Sequence, residues 1–166
     1  MQVPPSKRFV DTIDVIIEII TECADRLNPY SSEKIDIVTL NLIRTGIKIM
    51  DSNIIINNFI SNSYKYWDQI KQRDKNFFID NAIDIFGHLS DGEAKKHIDG
   101  LKNIFTCKDN QDKLVIDGDT IDSIWEGFQI LIKISINHIY KNNSNKNFDY
   151  INITNESKKW NVQLSS

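Results

Sequence analysis

Two of the chain's three histidines bracket a short polar stretch, HLSDGEAKKH, at residues 88–97. A zinc ion held by His88, His97 and a carboxylate is one interpretation, since imidazole and carboxylate groups both bind zinc. The stretch lacks the H-E-x-x-H pattern, however, and the chain contains no C-x-x-C pair. Ser90 and Glu93 have the S-x-x-E spacing of a helix capping box. We therefore interpret the stretch as a junction between two helices, and we predict no metal and no cofactor.

The Asp-Gly-Asp run at residues 117–119 invites an EF-hand interpretation. With Gly118 at the sixth position of such a loop, Lys113, Val115 and Ile124 occupy positions that require oxygen ligands. The EF-hand interpretation therefore fails, and we predict a turn that leads into a helix.

Carboxylate pairs and possible nucleophiles complete the set of side chains with catalytic potential. Asp80 and Asp84 lie one helical turn apart and could act as paired acids, although such a pair is more often a solvated helix face. Cys23 falls on an apolar helix stripe, Cys107 lies near a loop, and neither has an evident base as partner. His138 falls on or near an apolar stripe, which is typical of a core residue. A small carboxylate- and His-based metal-dependent hydrolase remains the alternative function, without an assigned catalytic residue.

The composition of the 166 residues limits the class of protein. Hydrophobic residues make up 40% and charged residues 26% of the chain, a balance typical of one globular domain. The formal net charge of −3 provides no general attraction for nucleic acid. Two cysteines far apart fit a reducing compartment, and no apolar run has the length of a membrane helix. We expect a cytoplasmic protein that does not enter a membrane.

Apolar residues recur at helical spacing, which predicts an all-α bundle of about six helices over residues 1–140. The first helix follows a cap at Ser6 and has the stripe Phe9, Ile13, Ile16, Ile20, Cys23 and Leu27. The second follows Ser31 or Ser32 and has the stripe Ile35, Val38, Leu42, Thr45 and Ile49. The third follows Asp51-Ser52 and has the stripe Ile56, Phe59, Ser63, Tyr66 and Ile70.

The later helices follow the same period. Asp74 caps the fourth, which has the stripe Phe78, Ala82, Ile85 and Leu89. The fifth has the stripe Ala94, Ile98, Leu101 and Phe105, and a polar loop with a short extended piece follows it. Asp119 is predicted to cap the sixth, which has the stripe Ile121, Ile124, Phe128, Leu131, Ser135 and Ile139. Because the sixth helix is apolar almost all round, we expect it to be the buried core helix.

From Lys141 the sequence becomes polar and rich in Asn and Ser, so residues 141–166 are predicted to form a polar, partly mobile C-terminal tail. Trp160, Val162 and Leu164 alternate within it. They are compatible with a docking peptide that adds to a partner's sheet edge or groove. They are equally compatible with a tail that folds back over the chain's own bundle.

The stretch YKYWDQIKQRD, residues 64–74, mixes aromatic rings with Lys65, Lys71 and Arg73. Rings and cations together are typical of a surface that binds single-stranded nucleic acid. Asp68 and Asp74 interrupt the positive charge, however, and the aromatic residues also fit the period of a helix core. We therefore keep a nucleic-acid accessory factor as a third hypothesis only.

Two stretches stand out together, FISNSYKYWDQIKQRDKNFFIDNAIDIF at 59–86 and IDSIWEGFQILIKISINHIY at 121–140. They form an aromatic-rich middle, followed by an acidic cap, an Ile-Trp pair, a bulky aromatic residue and a long Leu/Ile helix. In this the chain resembles small, mostly uncharacterised all-helical proteins of large nucleocytoplasmic DNA viruses. The resemblance spans about half of the chain and transfers no catalytic residue. It implies a location in the infected-cell cytoplasm or the virion.

The helix number and chain length are also similar to those of Bcl-2-like bundles. The Asn-Trp-Gly-Arg signature of that family is missing, since Trp125-Glu126-Gly127 is the nearest match, and so is its hydrophobic C-terminal anchor. The similarity implies an apolar groove between helices that accepts a partner's amphipathic helix.

Taken together, these patterns predict a non-enzymatic protein–protein interaction module that binds through an inter-helix groove, an aromatic patch or the C-terminal tail. The partner is expected to be another protein or a second copy of the chain, and we expect neither nucleic acid nor membrane as partner. The candidate contact residues are Tyr64, Trp67, Trp160, Val162 and Leu164.

Overall fold

The computed structural model of the chain describes residues 2–32, 34–86, 94–142 and 146–164, except for the side chains of 82–86, 94–99 and 146. Over these residues an isolated antiparallel bridge joins Lys108 to Leu114, and the remaining regular structure is helical. The predicted all-α fold is confirmed. The α-helices are α1 (Pro5–Leu27), α2 (Ile37–Ile49), α3 (Ser52–Ser63), α4 (Trp67–Lys71), α5 (Lys75–Phe86), α6 (Ala94–Thr106), α7 (Gly118–Lys141) and α8 (Ile153–Lys159).

The two longest helices, α1 and α7, pack against each other and form the centre of the bundle. They approach closely at Gly127, where an added Cβ atom would lie 2.7 Å from Cγ1 of Ile16. Since glycine has no side chain, it lets the two helices come closer than any other residue would. The sixth helix of the sequence prediction is α7, and its predicted stripe is buried from Ile124 through Ile139.

The second helix begins later than its predicted cap at Ser31 or Ser32. The Asn28 amide donates to the Ile35 carbonyl at 3.1 Å and accepts from the Ile35 backbone N–H at 2.9 Å. These two hydrogen bonds hold the connection in a non-helical path, so α2 starts only after Asp36. The Asp36 carboxylate caps the helix by accepting from the backbone N–H of Val38 at 3.0 Å.

Two other predicted caps are wrong and one is confirmed. Pro4, not Ser6, is the residue before α1, because Pro5 occupies the first helical position, for which proline is pre-organised and where it needs no backbone donor. Asp117, not Asp119, caps α7 and accepts from the Thr120 N–H at 3.1 Å. Asp74 caps α5 as predicted, by accepting from the Phe77 N–H at 3.0 Å.

The stripe predicted for the second helix does not face the core beyond Ile35. Leu40 and Ile47 of α2 are buried against α1, whereas the predicted residues Val38, Leu42, Thr45 and Ile49 are exposed. At 100° per residue, Leu40 and Ile47 lie about half a turn away from this predicted stripe. The helix therefore has apolar residues on two opposite faces, and only one of them is covered.

The third predicted helix is interrupted. A 3-10 turn at Tyr64–Tyr66 separates α3 from α4, so two helices carry the stripe that was predicted for one. Other predicted positions lie outside the described residues or side chains, namely Ala82, Ile85, Leu89, Ala94, Ile98 and the junction residues Ser90 and Glu93.

The C-terminal segment folds back on the bundle, which is the second of the two courses that its sequence left open. Phe148, Ile151 and Trp160 are buried there, and α8 packs against α7. Asn152 caps α8 by accepting from the Asn155 N–H at 3.1 Å. The apolar side chains of this segment thus extend the core, in place of an exposed polar tail.

Candidate interaction surface

The outer face of α2 consists of Val38, Leu42, Thr45 and Ile49, together with Met50 and Ile54 at the corner between α2 and α3. The four helical residues fall within an arc of about 60°. Ile49 is 82% exposed, Val38 is 68% exposed and Leu42 is 67% exposed, while Met50 and Ile54 are about half exposed. Single exposed apolar side chains are ordinary, but several on one stripe are typical of a surface that another molecule covers.

The outer face carries no charged side chain. The two cations of α2 turn toward α1, where Arg44 donates from Nη2 to Oδ2 of Asp14 at 2.9 Å and Lys48 lies 3.2 Å from Oδ1. These hydrogen bonds, Arg44 foremost, lower the pKa of Asp14 to about 2. The ion pairs thus hold α2 on α1 and leave its other side uncharged.

Gly46 lies in the interior of α2, one residue from Thr45. A Cβ atom built there meets no other atom within 4 Å, so the fold of this chain makes no steric demand for glycine. At Gly127, by contrast, Ile16 occupies the space that a Cβ atom would need. Glycine in a helix interior is destabilising relative to alanine. Gly46 therefore lowers the stability of α2, and packing within the chain does not explain its presence.

The predicted aromatic contacts in residues 64–74 are largely internal. Trp67 is only 2% exposed, and its Nε1 donates to Oγ of Ser63 at 2.9 Å. Tyr64 is half-buried, packs edge-on against Trp67, and donates from its hydroxyl to Oε1 of Glu156 at 3.4 Å. Burial, followed by the charge of Glu156, raises the pKa of Tyr64. Trp67 and Tyr64 therefore connect the bundle to α8 rather than forming an open patch.

The other predicted contacts lie at the end of α8. Trp160 is 3% exposed, and Lys71 donates to the Lys159 carbonyl beside it. Asn161 adopts a φ of 53°, and the Val162 N–H donates to the Ser157 carbonyl at 2.8 Å. This pattern is a Schellman helix ending. The alternation of Trp160, Val162 and Leu164 is thus a helix end packed on the core, not an extended docking strand.

The cations of the proposed nucleic-acid stretch are engaged within the chain. Arg73 lies 3.2 Å from Asp122 of α7, and Lys65 lies over the ring of Tyr66. Lys71 lies 5.8 Å from the centroid of the Trp160 ring. The contacts of Arg73 and Lys71 connect this stretch to α7 and to the end of α8, whereas that of Lys65 is local. The positive charges of the stretch therefore have a structural role.

Of the three histidines, His138 alone has a described side chain; His88 lies outside the described residues, as does the side chain of His97. The His138 ring is buried, with Nε2 2.9 Å from Oδ1 of Asn57 and Nδ1 3.3 Å from Nδ2 of Asn142. Donation from Nε2 and acceptance at Nδ1 fits a neutral ring. Burial lowers its pKa, which favours the same neutral form.

A cavity of about 150 Å³ adjoins this ring and is lined by Asn53, Asn57, His138, Ile139, Asn142 and Phe148. Among the described residues that line this cavity, amide and apolar groups surround the imidazole, and none is a nucleophile or a carboxylate that could act with it. Burial raises the pKa of the Cys23 thiol to about 11, which makes it inert. Among the described residues, no three His, Cys, Asp or Glu side chains are placed to hold a metal ion.

Comparison with known proteins yields no matching family model, no matching curated protein and no matching solved structure. In the described part of the chain, every helix is too short or too polar to cross a membrane.

The outer face of α2 is therefore the surface that sequence reasoning missed. Its four residues on α2 are ones that the periodicity assigns to the second helix, but as part of a stripe that faces the core. A signal was present, since Leu40, Ile43 and Ile47 form a second apolar stripe on the opposite side of the same helix. A helix with two apolar faces needs two neighbours.

Proposed function

We propose that this chain is a non-enzymatic protein–protein interaction module and that it binds through the outer face of α2. The observation that carries the proposal is the uncovered second apolar side of a helix whose first side is packed on α1. This surface replaces the aromatic residues and the C-terminal segment as the main candidate contact, because those side chains are used inside the bundle.

The energetics support the proposal. Full burial of a Val, Leu, Ile or Met side chain stabilises by about 1.5–3 kcal/mol, and five such side chains here remain half or more exposed. Covering them would yield on the order of 5 kcal/mol, before the entropy lost on association is subtracted. The lack of charge on this face favours an apolar partner surface over a charged one.

We place the interaction in the cytoplasm. Two free cysteines, one of them buried, suit a reducing compartment. The resemblance to viral helical proteins supports an infected cell or a virion as the setting.

The proposal is tested by placing a photoreactive phenylalanine analogue at Leu42 and, as a matched control, at Val15. Val15 is 54% exposed on α1, where the acidic residues Asp11 and Glu18 lie one helical turn away on either side, in contrast to the uncharged surroundings of Leu42. We expect a crosslink to one protein species from position 42 and none from position 15, in cells that produce the chain. Equal crosslinking from both positions, or none from position 42, contradicts the proposal.

A further inference from the structure

We propose that the outer face of α2 binds the same face of a second copy, with the two α2 helices antiparallel about a two-fold axis. This inference rests on the proposed function and names its partner. The protein is then a symmetric homodimer, in which one surface serves both copies.

The spacing of the outer face is self-complementary. Its four residues on α2, Val38, Leu42, Thr45 and Ile49, follow one another at intervals of four, three and four, a pattern that is unchanged when the helix is reversed. An antiparallel pairing centred between Leu42 and Thr45 places Val38 of one copy against Ile49 of the other. It also places Leu42 against the smaller Thr45, so that large side chains face small ones, as tight packing requires.

In this arrangement Gly46 has a structural role. It lies one helical turn beyond Leu42 at the edge of the outer face, and the space around it is empty in the single chain. Without a Cβ atom there, the backbone of a second helix can approach closely. Close approach is the role that Gly127 already has between α1 and α7 within the chain.

Area and charge are compatible with a dimer. Each copy exposes on the order of 500 Å² of apolar surface on this face, near the upper end for a typical monomer. Two copies with their polar flanks together reach about 1,200 Å², the lower bound for a specific interface. The outer face is uncharged, and a net charge of −3 per copy gives little repulsion.

The first test is sedimentation equilibrium of the full chain over a range of concentrations. We expect a dimer for the natural protein and for the control Val15→Lys, and a dissociation constant raised about a hundredfold for Leu42→Lys, because the lysine must be buried unpaired. Gly46→Ala is expected to weaken the dimer about tenfold while leaving the helical circular dichroism of the monomer intact.

The second test fixes the orientation. In a Cys107→Ser background, protein with Val38→Cys is mixed with protein carrying Ile49→Cys and treated with a short bismaleimide. An antiparallel dimer gives the mixed crosslink, whereas a parallel dimer gives crosslinks of each variant with itself and overturns the stated geometry.

The outcomes separate this inference from the proposed function. A chain that stays monomeric at every concentration, but crosslinks from position 42 to a different protein, overturns the dimer and keeps the interaction surface. A monomer without any such crosslink overturns both. A dimer that Leu42→Lys leaves unchanged shows that another surface holds the copies together, and it overturns the inference.

Discussion

Replacing Gly127 by alanine probes the contact on which the bundle centre depends. The new Cβ atom would lie 2.7 Å from Cγ1 and 3.0 Å from Cδ1 of Ile16, well inside the usual distance between carbon atoms. Alanine in a helix interior gains about 0.5–1 kcal/mol over glycine. Overpacking a filled core costs about 1–3 kcal/mol, and Ile16 is buried on α1 with little room to move. We expect Gly127→Ala to lower the free energy of unfolding by about 1–2 kcal/mol.

Urea denaturation followed by circular dichroism measures this change, and a loss of about 1 kcal/mol corresponds to a fall of about 2–4 °C in Tm for a chain of this size. Gly46→Ala is the matched control, since its site is sterically empty within the chain. At concentrations where the protein is monomeric, we expect it to be stabilised by about 0.5–1 kcal/mol.

A double-mutant cycle isolates the contact. Ile16→Ala alone removes core volume and should cost about 2–5 kcal/mol. In that background the alanine at 127 has space, so Gly127→Ala should become neutral or stabilising. If Gly127→Ala is as harmless in the natural chain as in the Ile16→Ala background, the close approach of α1 and α7 is refuted.

Three further measurements follow from the same contacts. Trp160→Ala should destabilise the chain by about 3–5 kcal/mol, as for other buried tryptophans; an unchanged urea midpoint would mean that the C-terminal segment is not part of the core. Burial lowers the pKa of His138 below 6.5, its ordinary value, so the folded protein favours the neutral ring. The free energy of unfolding should therefore be highest above pH 6.5 and should fall as the pH drops below that value. His138→Gln should flatten the dependence of the urea midpoint on pH in this range, and a profile that stays parallel to the natural one would contradict a neutral buried ring. In the native protein a thiol reagent should modify Cys107 and reach Cys23 only upon unfolding, because Cys23 is buried and its pKa is raised to about 11; two fast thiols would show that α1 is not packed as described.

Much of the fold follows from local sequence. The stripes of α1 and α7 are broad and strongly apolar, so each of these helices has one energetically preferred side and must be central. Asp74 could be identified as a cap because its carboxylate satisfies backbone donors only a few residues away. Cys23 could be assigned to the core for the same local reason, as a member of the α1 stripe.

The C-terminal segment was harder to predict because its helix is short and mostly polar. Asn152 and Asn161 mark the two ends of α8, but an isolated helix of seven residues is unstable in water. Its order comes from the burial of Trp160 and the contacts of Lys71 and Lys159 with distant residues. The sequence therefore left both a docking peptide and a folded-back segment open.

The outer face of α2 was decided by tertiary structure alone. Periodicity identifies two apolar stripes on this helix, and both satisfy the rule for a packed face. Which of them turns inward depends on groups outside the helix, since Asp14 of α1 binds Arg44 and Lys48 and the amide of Asn28 fixes the connection before it. A sequence period specifies the angle between residues on a helix, but only the positions of neighbouring helices decide which side finds a partner within the chain and which is left for another molecule.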